Sequence, residues 1–172
     1  MRIETYQLSM PEYKEWNPLV LDLVQELKAW IRPDFPEITI EHVGSTAVPG
    51  CCGKGIVDLL ALYPVGSLDS ARQAVDHLGF QHQLGRNPFP ETRPMRVGSI
   101  HFQENLFKLH VHILEEGCPE ALALCQFRDT LIGNQTKRKA YMAMKQEILK
   151  HQLKDPMEYT ERKAAFFEAF SQ

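Results

Sequence analysis

No stretch of this 172-residue sequence approaches the roughly 20 consecutive apolar residues that a membrane-spanning helix needs. The longest runs, Ile56-Val57 and Leu59 to Leu62 on either side of Asp58, are strand-sized. Cysteine is scarce as well. Cys51, Cys52, Cys118 and Cys125 include no CxxC pair, and the adjacent Cys51 and Cys52 would bridge only as a strained ring, so all four read as thiols. Neither sign of charge dominates: 19 Lys and Arg against 22 Asp and Glu leave a net charge of -3, so bulk charge attracts neither nucleic acid nor anionic membrane. Any anion site must therefore be local. Glycine and proline are not in excess, at 10 and 11, and with 44% apolar and 24% charged residues the composition is far from disorder, collagen or coiled coil. Behind Arg2 there is no apolar signal-peptide core, so export is not indicated and a reducing cytosol is the expected compartment. Repeats and linker-like tracts are also missing, and residues 1–172 are expected to form a single domain.

What is present alternates between helical and extended patterns. Asn17-Pro18 precedes Leu19, Leu23, Leu27, Trp30 and Ile31 at helical spacing, which predicts a first helix ending near Pro33. Residues 37–43 predict a strand with Ile38, Ile40 and His42 on one face, running into Gly44-Ser45. The near-continuous apolar run from Ile56 to Leu62 predicts a strand covered on both faces, interrupted by Asp58. A helix capped by Ser67 and closed by Gly79 should follow, then strands over 97–103 and 107–114 joined by a turn at Glu104-Asn105. Beyond Glu120, apolar residues recur at helical spacing in three segments: Leu124, Phe127 and Leu131; Tyr141, Met144 and Ile148; Tyr159, Phe166 and Phe170. The sum is an α+β fold with a mixed sheet and a helical C-terminal third.

Chemistry is concentrated at Gly44-Ser45-Thr46 and at Asp58. Glycine permits close backbone approach to a phosphate, and the two hydroxyls add donors. A carboxylate in an apolar strand is costly without a cation or hydrogen bonds, so Asp58 should have a partner, either Lys54 or a divalent metal carrying phosphate. Alternatively Gly44-Ser45 is a plain turn and Asp58 pairs with a backbone N–H or with Lys54. His110 and His112 alternate onto one strand face about 7 Å apart, as strand geometry requires, and either hold metal beside Asp58 or make ordinary hydrogen bonds. His42 either orients Asp58 or a phosphate, or simply packs. Arg86, Arg93 and Arg96 flank the proline-rich stretch Asn87 to Pro90, which either crosses the cleft or is solvated. Lys137, Arg138, Lys139 and Lys145 lie in an acid-free stretch without stacking aromatics.

The run Glu41-His42-Val43-Gly44-Ser45-Thr46-Ala47-Val48-Pro49-Gly50, followed by Lys54-Gly55-Ile56-Val57-Asp58-Leu59, closely resembles the signature of the GrpB family. The similarity continues through Leu109-His110-Val111-His112, Phe127-Arg128-Asp129, Tyr141-x-x-x-Lys145 and Tyr159-x-x-x-Lys163. Through that family the chain resembles polymerase-β-type nucleotidyltransferases. The resemblance implies a Gly-Ser loop for triphosphate and paired strand carboxylates for two divalent metals. Gly44, Ser45 and Asp58 match that pattern, whereas the second carboxylate position is Leu60. The resulting expectation is a metal-assisted nucleotide-binding protein. Phosphate or nucleotide would lie at Gly44, Ser45, Thr46 and Lys54, with Asp58, His110 and His112 as metal ligands and catalytic groups, Mg or Mn as the cation and an NTP as ligand or substrate. It would transfer a nucleotidyl group to an unknown acceptor; the alternative is a non-catalytic nucleotide- or partner-binding module with a degenerate site.

Overall fold

A computed structural model of the chain describes residues 1–8, 13–83 and 87–150. Its strands are β1 (Thr39–Val43), β2 (Ile56–Tyr63), β3 (Gln81–His82), β4 (Met95–Phe102) and β5 (Asn105–Glu115). Its helices are α1 (Leu19–Ile31), α2 (Leu68–His77), α3 (Pro119–Gly133) and α4 (Gln135–Lys150), with a 3₁₀ turn over Ser45–Ala47. The strands make one sheet in the order β1-β2-β5-β4-β3. Strands β2 and β5 run parallel and every other neighbouring pair is antiparallel, so the mixed α+β class expected above is the one adopted.

Side-chain alternation divides the sheet into two faces. One carries Ile40, Val57, Leu59, Ala61, Leu109, Val111 and Ile113, and buries them against Val20, Leu23, Val24, Leu27 and Ile31 of α1 and Ala71, Ala74 and Val75 of α2. The opposite face is only partly covered: Val43, Leu60, Leu62 and Leu114 pack with Ala121 of α3. Further along α3, Phe127 and Leu131 join Tyr141 of α4 over Val48 and Cys51. Next to the part of this face that α3 covers, β2 and β5 present polar residues.

Local chemistry explains several boundaries. Asn17 Oδ1 accepts from the Leu19 amide at 3.0 Å, which starts α1 directly after Pro18. Ser67 occupies the position before α2, but its side chain makes no capping bond, so that expectation is corrected. The β4–β5 turn is Gln103-Glu104, both with positive φ (45° and 64°), and Asn105 already pairs with Phe102. A two-residue turn with both φ values positive matches the twist of a hairpin, which places the turn one residue earlier than expected. Arg96 is not a solvated loop charge: it is 2% exposed in β4, with Nε 2.6 Å from Asp76 and Nη2 2.9 Å from Glu91. All four cysteines are free. Among the described residues no helix is long and apolar enough to cross a membrane. Arg86 and the segment carrying Tyr159, Phe166 and Phe170 lie outside the described residues.

Residues 1–7 extend along the sheet beside β4. Glu4 and Ser99 exchange backbone hydrogen bonds of 2.8 and 3.0 Å, and Gln7 donates to Ser99 Oγ at 3.0 Å. Gly98 makes this possible, because a Cβ there would lie 2.5 Å from Ile3 Cγ2 and 3.0 Å from Phe80. Gly98→Ala should therefore cost about 1–3 kcal/mol by overpacking. Amide exchange at Glu4 and Ser99 should accelerate more than exchange in β2. Unchanged protection at both amides would contradict this account.

Candidate functional site

The site forms where β1 ends. Register pairs Val43 with Asp58, and Asp58 with His110 on the parallel neighbour, so Asp58 and His110 stand side by side on the less covered face. Nδ1 of His110 is 3.7 Å from Asp58 Oδ1, and the Asp58 side chain is 28% exposed. Asp58 is thus a cleft residue at the open end of a buried strand rather than a fully desolvated charge, and this corrects the premise that burial alone demands a cation.

Gly44 presses against this carboxylate. Its φ of 73° and ψ of -169° lie in a region essentially reserved for glycine, and a Cβ there would sit 2.5 Å from Asp58 Oδ2. The backbone then enters the 3₁₀ turn with Ser45 buried. Across the bend, Gly53 completes the enclosure: any side chain at that position would overlap the Lys145 ammonium and lie 2.7 Å from Ser45 Oγ. Lys145 is 3% exposed, and its Nζ stands 5.0 Å from the centre of the Tyr141 ring. A buried lysine beside a serine hydroxyl is the feature that charge counting along the chain misses. In the sequence Lys145 stands only in the acid-free basic stretch and in the Tyr141-x-x-x-Lys145 run.

Other expected residues separate into roles. Thr46 Oγ1 donates to the Ile56 carbonyl at 3.3 Å and receives the His42 Nε2 hydrogen at 2.9 Å, so its hydroxyl faces inward. His42 shares the face of Leu59 and not that of Asp58, which corrects any orienting role toward the carboxylate. Burial lowers the His42 pKa to about 4, so it is neutral at pH 7. Lys54 is half-buried between Gly53 and Gly55, in the loop leading to β2. Behind the bend, on the α1 side, a cavity of about 200 Å³ is lined by Trp16, Val20, Thr46, Val57 and Phe107; Asp58 does not line it.

His110 and His112 do share a face, as expected, with distinct neighbours. Tyr6 hydroxyl lies 2.9 Å from His110 Nε2, with the rings 5.5 Å apart. With Nδ1–H turned to Asp58, Nε2 accepts the phenolic hydrogen; this tautomer satisfies both contacts. Burial and the Asp58 charge raise the Tyr6 pKa, so the phenol is protonated at neutral pH. For His112, Arg93 Nη1 donates to Nδ1 at 2.9 Å, and guanidinium can only donate, so the ring is neutral with its hydrogen on Nε2. Burial lowers the pKa of His112 to about 4. Arg93 also stacks on Phe89 at 4.2 Å and forms an ion pair with Glu120 at the start of α3. The proline-rich stretch thus borders this face through Phe89, whose ring meets His112 edge-on at 5.7 Å, while Asn87 to Pro90 are exposed. Lys108 precedes His110 on the same face, opposite Ser99. Among the described residues no three His, Cys, Asp or Glu side chains converge on one point.

The fold and site define an α+β protein in which a Gly-Ser bend, a carboxylate and an imidazole meet at the open end of two parallel strands. The chain belongs to the GrpB family: the family model described as GrpB protein matches residues 10–172. A UPF0157 protein of Deinococcus radiodurans is 33% identical over 138 residues, covering 79% of this chain and 67% of that protein. Another from Halalkalibacterium halodurans is 27% identical over 130 residues, covering 74% of this chain; the chain spans 63% of that relative's length. The crystal structure of conserved protein GrpB from Enterococcus faecalis superposes with a TM-score of 0.64 at 18% identity, over 94% of this chain and 100% of that one, so the fold is shared. A Cid1 poly(U) polymerase structure with MgGTP bound reaches a TM-score of 0.47 at 11% identity, covering 72% of this chain and 41% of that one, a likeness too slight to speak to activity.

Two outcomes follow from this geometry. Gly44→Ala should destabilise the protein by about 1–3 kcal/mol, since it combines a glycine-only conformation with a carboxylate clash; chemical denaturation measures this, and a loss below about 0.5 kcal/mol contradicts it. His42, whose folded pKa lies below its unfolded value of about 6.5, binds its proton first in the unfolded chain as pH falls. Its share of stability is complete above about pH 7 and declines toward pH 4, by about 2 kcal/mol at pH 5. Denaturation midpoints at pH 7.5 and 5 should differ less in His42→Phe than in the native chain.

Proposed function

We propose that the protein binds the phosphates of a nucleoside triphosphate, or of a related phosphorylated ligand, at the Gly44-Ser45 bend, and that its chemistry is nucleotidyl transfer. The observation that carries this reading is the convergence of Ser45 Oγ and the Lys145 ammonium on Gly53, beside a carboxylate touched by the Gly44 backbone. Two glycines remove the side chains that would fill the space. A lysine held at 3% exposure supplies the positive charge a polyphosphate requires, and a serine hydroxyl supplies a donor. Lys108 and Lys54, on the same side of the strand end or just before it, add to the cationic field that the near-neutral whole chain does not provide.

The donor set fits one divalent cation rather than two. Asp58 contributes carboxylate oxygens, and Mg or Mn commonly takes one or two carboxylates with the remaining positions filled by ligand phosphates and water. Leu60, at the second carboxylate position, is 0% exposed in the core under α3. His112 has its lone pair occupied by Arg93, and His110 lies between Asp58 and Tyr6. When bound, such a cation would neutralise phosphate charge and polarise the phosphoryl group. In this reading Ser45 and Lys145 bind phosphate, Asp58 holds the cation, His110 moves a proton, and His112 with Arg93 walls the cleft.

A second reading is favoured by Leu60 itself. A hydrocarbon side chain in that position removes half of the paired-carboxylate site, which suits a module that holds a nucleotide without turning it over.

Calorimetric titration with each NTP, in Mn and in Mg, tests the shared part of both readings. Asp58→Asn and the volume-preserving Lys145→Met should each weaken binding at least tenfold, about 1.4 kcal/mol. Absence of binding by the native chain, or indifference to both substitutions, overturns the phosphate-site assignment. Release of pyrophosphate on incubation with NTP selects transfer over simple binding.

A further inference from the structure

Tyr6 occupies a position that a passive packing residue does not need. Its backbone is fixed by a hydrogen bond from its amide to Gln81 Oε1 at 3.0 Å, and on either side by the Glu4–Ser99 and Gln7–Ser99 bonds. That anchoring carries the phenol across the less covered face of β4 to His110, with the oxygen 2.9 Å from Nε2. Behind the imidazole stands Asp58, 3.7 Å from Nδ1, and against Asp58 stands the Gly44 bend. Hydroxyl, imidazole and carboxylate thus lie in sequence, the arrangement by which a weak hydroxyl nucleophile is matched with a base and the base with an orienting acid. One carboxylate and one ring separate the phosphate bend from the phenol. A hydroxyl set against a base therefore lies on the same face as the acid that the bend touches.

We propose that Tyr6 is itself a nucleotidyl acceptor, so that the protein labels its own tyrosine from a nucleoside triphosphate. The Tyr6 oxygen attacks the α-phosphorus and forms a phosphodiester bond. The bond from the α-phosphorus to the oxygen bridging to the β-phosphate breaks, and pyrophosphate leaves with that electron pair. The phenolic proton passes to His110 Nε2, while Asp58 faces the Nδ1 hydrogen and stabilises the imidazolium. No oxidant or reductant is involved, and the nucleoside triphosphate is the only co-reactant. This rests on the phosphate-site reading above and deepens it by naming an acceptor.

The full chain, incubated with each of the four common NTPs and Mn, should gain the mass of one nucleotidyl group (a nucleoside monophosphate less water), with the adduct mapped to Tyr6 by peptide sequencing. Tyr6→Phe should abolish the gain, and His110→Gln should slow it at least tenfold. A chain that binds nucleotide by calorimetry yet gains no mass, or gains it at another residue, overturns the acceptor assignment and leaves the phosphate site standing; a chain that binds no nucleotide overturns both. A measurement without metal probes the same pairing. An adenosine carrying a 5′-aryl sulfonyl fluoride should modify Tyr6 faster than Tyr13, and His110→Gln should remove the difference. Equal reactivity of the two tyrosines in the native chain also overturns the proposal.

Discussion

The contact on which the site depends is the approach of the Gly44 backbone to the Asp58 carboxylate across the end of the β1–β2 pair. Antiparallel register sets Val43 opposite Asp58, so the residue after Val43 must leave the strand immediately over an acid. A left-handed, extended glycine achieves this without a Cβ, and the chain turns at once into Ser45. The parallel pairing of β2 with β5 then sets His110 beside the same acid. The acid and the imidazole of the cleft are both located by that pair of strands. Shifting the register by one residue would send Asp58 into the core under α1 and point Leu59 at the cleft.

Much of this was legible because strand periodicity is simple. Alternation puts His110 and His112 on one face, and the resemblance carried by residues 41–59 singles out Gly44, Ser45 and Asp58, of which the fold sets Gly44 directly against Asp58. Alternation also contained the answer for His42: opposite residues of an antiparallel pair share a face, so pairing Val43 with Asp58 necessarily turns His42 away. That pairing, however, is a tertiary fact. Tyr6 and Lys145 were less accessible for the same reason, since they reach the site from 104 residues before His110 and from α4 respectively. A lone tyrosine or lysine carries no periodic signal, and only packing shows that Lys145 is buried. Arg96 groups by sequence with the proline-rich connection, yet it sits inside β4 between Met95 and Val97, and its partners Asp76 and Glu91 come from α2 and the preceding loop.

The contrast between the two histidines follows from what covers each. His112 lies opposite Leu60 in the row that α3 protects, and Arg93 seals it with a donated hydrogen bond while pairing with Glu120 of that helix. A ring so placed is held neutral and has its lone pair occupied; it closes the cleft on one side. His110, one strand pair closer to the open end, keeps a carboxylate on one nitrogen and a hydroxyl on the other. Imidazole between an acid and a hydroxyl can carry charge transiently, whereas imidazole under a guanidinium cannot. The same sequence pattern, histidine at every second residue, therefore yields one sealed, neutral ring and one ring set between an acid and a hydroxyl.

Leu60 decides how far the polar region extends. A carboxylate at that position would be buried beneath Ala121 and Leu114, beside a neutral His112 and remote from bulk water, and an uncompensated charge there would cost several kcal/mol. Leucine instead completes the hydrophobic seam that fixes α3 to the sheet, and α3 in turn positions Arg128, which holds Glu41 at 2.8 Å and the His42 carbonyl at 2.9 Å on β1. Leucine at this position thereby helps hold the strand that leads into Gly44. In the phosphate-binding reading proposed above, a site with one carboxylate must draw its remaining stabilisation of phosphate charge from elsewhere. In that reading Lys145, buried beside Ser45 and facing Tyr141, brings a largely desolvated positive charge to the bend.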